Sequence, residues 1–91
     1  MPKVIITSQV QDGAKWEAGF RTHVEMFRRF YGKAPVHFRT DGNEVVICFE
    51  PEDLDAFHRS MESKETADAM ANDGVKRETV KIYVLDKVME V

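Results

Sequence analysis

Apolar and polar positions alternate from Lys3 to Val10, with Val4, Ile6 and Val10 on one side and Ile5, Thr7 and Gln9 on the other. A period of two predicts a strand. Asp12-Gly13 breaks it, and Asp12 is suited to cap the helix that follows. From Ala14 to Tyr31 the period becomes helical. At about 100° per residue, Trp16, Phe20, His23, Phe27 and Phe30 or Tyr31 share one face. Gly32 and Pro35 end this helix. Val36 to Thr40 reads as a second strand, Thr40-Asp41-Gly42-Asn43 as a tight turn, and Glu44 to Glu50 as a third strand, apolar on both faces at its centre.

Pro51 is predicted at the first position of the next helix, with Glu52 and Asp53 near its positive end. Leu54, Phe57 and Met61 share a face there. Ser63 breaks the helix and caps a second segment carrying Ala67, Met70 and Ala71, which Gly74 ends. Thr79 to Leu85 is the last predicted strand, with Val80, Ile82 and Val84 opposed to Tyr83 and Leu85.

The order β-α-β-β-α-β predicts one α+β domain over residues 1–91 of the ferredoxin-like, split-βαβ type: a four-stranded antiparallel sheet with the helices on one face. The other face should be polar if it met water. Here it carries Ile5, Val46, Cys48, Tyr83 and Leu85, with His37 and Arg39 beside them. A second copy of the chain is the simplest cover, so a homodimer packed sheet to sheet is expected.

Composition narrows the function classes. The 91 residues carry 16 acids against 13 bases, a net charge of −3. Nucleic acid is therefore not the expected partner, because phosphate contacts need a basic face. No run approaches the roughly 18 apolar residues of a membrane span. The N-terminal segment has no signal-peptide pattern. With Cys48 the only cysteine, no disulfide can form within the chain, and a reduced, cytoplasmic setting is expected. There is no Cys-x-x-Cys and no glycine-rich phosphate loop, and His23, His37 and His58 fall on three different elements, so no metal site is expected.

His23 is the candidate for chemistry. An imidazole at the centre of an apolar stripe is expensive unless it is hydrogen-bonded in the core or faces a cavity. Imidazole is also the side chain best suited to proton transfer near neutral pH. Trp16, Phe20 and Phe27 flank it as walls of a pocket or as core. Gly19, on the same helix, would let another element approach closely.

The segment Trp16-Glu-Ala-Gly-Phe20-Arg-Thr-His23 resembles dimeric α/β-barrel proteins related to the antibiotic-biosynthesis monooxygenases. So do the hairpin Asn43-Glu-Val-Val-Ile47 with Phe49-Glu50, the segment Ser63 to Met70 with Asp73-Gly74-Val75, and the closing strand from Val80 to Leu85. The resemblance implies a homodimer joined through its sheets, with a pocket in each subunit between sheet and helices. Some such proteins oxidise aromatic polyketides without metal or flavin, some degrade haem, and others are isomerases. The haem-degrading pattern does not match: the first strand has no Asn, and Trp16 lies on the wrong helix. The resemblance implies His23 as a pocket residue and candidate catalytic residue, without a cofactor.

Two functions are expected to compete. One is a small-molecule protein, a cofactor-free monooxygenase-like enzyme acting on an aromatic or apolar substrate, with Trp16, Phe20, His23 and Phe27 around it. The other is a non-catalytic dimeric module in which His23 only bonds within the core. On sequence alone, His23→Leu separates them: a gain in stability marks a polar group carried for function, and a large loss marks a structural ring.

Overall fold

The computed structural model describes residues 2–91. Strand β1 (Lys3–Gln9) leads through Asp12 into helix α1 (Gly13–Phe20). The Asp12 carboxylate accepts from the backbone N–H groups of Ala14 and Lys15, as its capping role requires. A short 3₁₀ turn, Arg21–His23, then separates α1 from α2 (Val24–Tyr31). The hairpin β2 (His37–Asp41) and β3 (Glu44–Phe49) follows, then α3 (Leu54–Met61), α4 (Lys64–Asn72) and β4 (Lys81–Leu85). The sheet order is β2-β3-β1-β4, with every pair antiparallel. The predicted ferredoxin-like α+β fold is the observed one.

Three local expectations are corrected. The helix predicted from Ala14 to Tyr31 is broken by the 3₁₀ turn that ends at His23. Thr22 donates its hydroxyl to the Gly19 carbonyl at 2.6 Å, a back-bond that bends helices. The helix after β3 begins at Leu54 rather than at Pro51. Asp53 is its N-cap, accepting from the Ala56 N–H at 3.1 Å, and Pro51 is buried outside the helix. Thr79 belongs to a 3₁₀ turn instead of β4, because its hydroxyl accepts from the Gln9 N–H and donates to the Lys76 carbonyl. Ser63 caps α4 as predicted, accepting from the Thr66 N–H.

The register sorts the two faces of the sheet. Val4, Ile6, Val45 and Phe49 are buried beneath the helices. Two core clusters form there. One gathers Tyr31, Phe49 and Phe57 around Val4 and Ile6; the other gathers Trp16 and Phe20 around Val10 and Val45. Phe27, Val36 and Ile47 pack against both. On the opposite face Ile5 lies between Cys48 and Tyr83, with His37 next to Cys48 and Arg39 next to Val46. Tyr83 and Leu85 are each 48% exposed there, and Cys48 is half-buried. Among the described residues no helix is long and apolar enough to cross a membrane.

Gly32 closes α2 with φ +96° and ψ −160°, a conformation that essentially only glycine adopts. It turns the chain from α2 into the loop 33–36 that leads to β2.

Asp53→Ala removes the cap of α3 and is expected to lower stability by about 1 kcal/mol, read from the urea midpoint at unchanged slope. A neutral outcome would return the helix start to Pro51.

Candidate functional site

A cavity of about 70 Å³ lies between the helices and the sheet, at the seam of the two core clusters. Trp16, Phe20, His23 and Phe27, the four residues singled out by sequence, all line it. Trp16 is 2% exposed and stacks on Phe20 at 4.6 Å between ring centroids, and Phe20 meets Phe27 at 4.8 Å. Trp16 is therefore both core and cavity wall. Met26, Met61 and Met70 complete much of the apolar lining. Their flexible thioethers can repack around a guest.

His23 is not at the middle of a continuous helix. It is the N-cap residue of α2, with φ −96° and ψ 20°, and its side chain is 20% exposed. The break turns the ring toward α4, where His23 Nε2 lies 2.9 Å from Asp73 Oδ2. Asp73 is the residue that sequence reasoning missed. It is 5% exposed and lines the same cavity. Its other oxygen accepts from the Asn72 side-chain amide at 3.2 Å.

Two features make Asp73 costly without His23. A buried carboxylate needs partners. It also caps the C-terminal end of α4, the negative end of the helix dipole, where an anion is disfavoured. The imidazole supplies the compensating donor. In the tautomer in which Nε2 donates to the Asp73 carboxylate, Nδ1 of the neutral ring keeps its lone pair. An imidazole fixed in one tautomer by a buried carboxylate is equipped to accept a proton.

Gly19 carried the one sequence signal for this contact. A Cβ built there would collide with Asp73 Oδ1. The close approach that the glycine permits is the approach of Asp73 to α1. Because Asp73 depends on His23, His23→Leu would leave the buried carboxyl without that partner. A loss of stability in that variant would then follow whether or not the ring has a function, and the single substitution does not separate the two readings.

Tyr31 lies farther along α2 and is 7% exposed. Burial pushes its phenol up to about 12, with the Ser60 hydroxyl pulling partly the other way. It therefore stays protonated at neutral pH, with its hydroxyl directed at the Met61 sulfur at 4.0 Å. His37 lies on the outer sheet face and His58 is exposed on α3. Among the described residues no group of three or more His, Cys, Asp or Glu is placed to hold a metal ion.

No protein-family model matches the chain, and no curated protein matches it. Solved structures do. A crystal structure described as an antibiotic biosynthesis monooxygenase superimposes with a TM-score of 0.69 at 18% identity, covering 98% of this chain and 100% of that one. A cofactor-independent oxygenase from Streptomyces nogalater gives 0.67 at 17% identity over 99% and 95%. A monooxygenase of Streptomyces coelicolor, in complex with nanaomycin D, gives 0.64 at 19% identity over 99% and 89%. At these identities the likeness establishes a shared fold.

Gly19→Ala tests the Asp73 contact. Within a helix this exchange ordinarily stabilises by about 0.5–1 kcal/mol. Here it is expected to destabilise by about 1–3 kcal/mol, because Asp73 must retreat from His23. A stabilised variant in a denaturant titration would mean that Asp73 does not pack there.

Proposed function

We propose that the chain is a small-molecule enzyme of the cofactor-free monooxygenase type, acting on an aromatic or apolar substrate in the cavity between α1, α2 and the sheet. The observation that carries this reading is the His23–Asp73 pair at 2.9 Å on the wall of a mostly apolar, aromatic-lined cavity. A basic group in such surroundings suits removal of a proton from an acidic C–H or O–H of an electron-rich ring. The resulting carbanion is electron-rich enough to reduce dioxygen without metal or flavin. Trp16, Phe20 and Phe27 hold the ring, His23 takes the proton, and Asp73 holds His23. The fold shared with a cofactor-independent oxygenase supports the same reading.

One observation favours the non-catalytic alternative. His23 is already hydrogen-bonded, as a ring that only fastens α2 to α4 would be.

Oxygen uptake separates the two. Anthrone, a tricyclic aromatic ketone with an acidic CH₂, is converted with one O₂ into anthraquinone and water, which balances without a cofactor. The protein is expected to accelerate this conversion. His23→Gln keeps a donor for Asp73 but not the base, and is expected to lower kcat about 10²-fold or more with the fold intact. No uptake above the protein-free rate, with thermal shifts absent for anthrone and for small aromatic acids and quinones, would leave the structural reading.

The same proposal includes a homodimer through the outer sheet face, where Ile5, Val46, Cys48, Tyr83 and Leu85 would be covered. The single cysteine within it suits a reducing, cytoplasmic setting. Sedimentation is expected to give about 21 kDa, twice the 10.5 kDa chain, and Ile5→Lys is expected to lower it toward monomer. A wild-type species at monomer mass would reject this part.

A further inference from the structure

The cavity beside His23 holds about 70 Å³, under half of the roughly 150 Å³ that accommodates a benzene ring. An aromatic substrate needs more room, and a second hollow lies directly against the first. It is a groove of about 330 Å³ between α2, the loop 32–36 and β2. Phe20, Phe27 and Val36 line both spaces, so these three side chains form the partition between them. Phe27 and Val36 are only half-buried. Outward rotation of Phe27 would join the groove to the cavity.

The groove differs from its surroundings in charge. Arg21, Arg28 and Lys33 line it and, among the described residues, no acid does, although the chain as a whole is at −3. Arg21 and Arg28 bond Glu17 and Glu25 within their own helical segment, in exposed pairs of the weak kind that an incoming anion displaces. The Lys33 ammonium makes no ion pair among the described residues. Aromatic rings of Phe20, Phe27 and Phe38 line the same groove, with the Arg21 guanidinium 5.0 Å from the centre of the Phe38 ring. Cations beside aromatic rings match a ligand that is apolar in body and anionic at one end.

We infer that this groove is the mouth and anion subsite of the His23 cavity. It takes the carboxylate of an aromatic or otherwise apolar acid on Lys33 and Arg28, and the apolar body passes between Phe20, Phe27 and Val36 toward His23. This rests on the reading of the cavity as the substrate site and adds the substrate's charge and the direction of entry.

The test uses the full chain with 2-naphthoate and its uncharged methyl ester. Binding is followed by calorimetry and by the fluorescence of Trp16, the single tryptophan, which stacks on Phe20 of the partition. Lys33→Ala combined with Arg28→Ala removes two exposed cations from the rim. Naphthoate is expected to bind the wild type and perturb Trp16, to bind the double variant about ten-fold or more weakly, and to weaken with added salt. The ester is expected to bind both proteins alike and to ignore salt. Equal binding of naphthoate by both proteins would overturn the anion subsite, as would ester binding without naphthoate binding, while leaving the cavity as a ligand site. Heat of binding with no change at Trp16 would place naphthoate on the surface alone and overturn the link between groove and cavity. Binding of neither probe would overturn the inference together with the substrate-site reading on which it rests.

Discussion

Asp73 is a carboxylate buried to 5% exposure at the C-terminal end of α4, where the helix dipole also opposes it. An apolar residue would meet neither cost at that position. Retention of Asp73 requires compensation from elsewhere, and His23 provides it across fifty residues of sequence. Much of the local architecture follows. The helical segment 13–31 breaks at the 3₁₀ turn, which brings the His23 ring to α4. Gly19 has no side chain because Asp73 occupies the space where one would be. α1, α2 and α4 are tied together at one point, and the space next to that point is the cavity.

The cavity has a second cause in the division of the core. Trp16 and Phe20 pack with Val10 and Val45, while Tyr31, Phe49 and Phe57 pack with Val4 and Ile6. Trp16 and Phe20 of α1 thus belong to one cluster and Tyr31 of α2 to the other, joined through Phe27, Val36 and Ile47. A continuous core would have filled the seam. Instead the seam is lined by methionines and aromatic rings, with a fixed imidazole on one wall.

The fold was legible because it rests on periodicity and turn chemistry, which are local. The alternation of Val4 and Ile6 against Ile5 and Thr7, and the caps at Asp12 and Ser63, are properties of a few adjacent residues. Pro51 misled because proline at a first helical position and aspartate at a cap are both favourable, and only the burial of Pro51 against the core decides between them. The break at His23 was hidden because the aromatic stripe continues through it with helical spacing. Asp73 was illegible as a site residue for a different reason. An acid beside a helix-ending glycine looks like solvated surface, and its burial comes with the close approach of α1 at Gly19. Gly19 recorded that approach, but a lone glycine does not name its neighbour.

The dependence of Asp73 on His23 is measured most directly by a double-mutant cycle in chemical denaturation, with His23→Leu, Asp73→Leu and the two combined. Each single change strands a partner, whereas the pair of leucines leaves an apolar contact of similar shape. The expected result is a double variant more stable than the sum of the two losses, by a coupling of about 1–3 kcal/mol. Losses that add to within about 0.5 kcal/mol would contradict it. His23 and Asp73 would then be independent neighbours, and the clasp would not be what shapes the cavity.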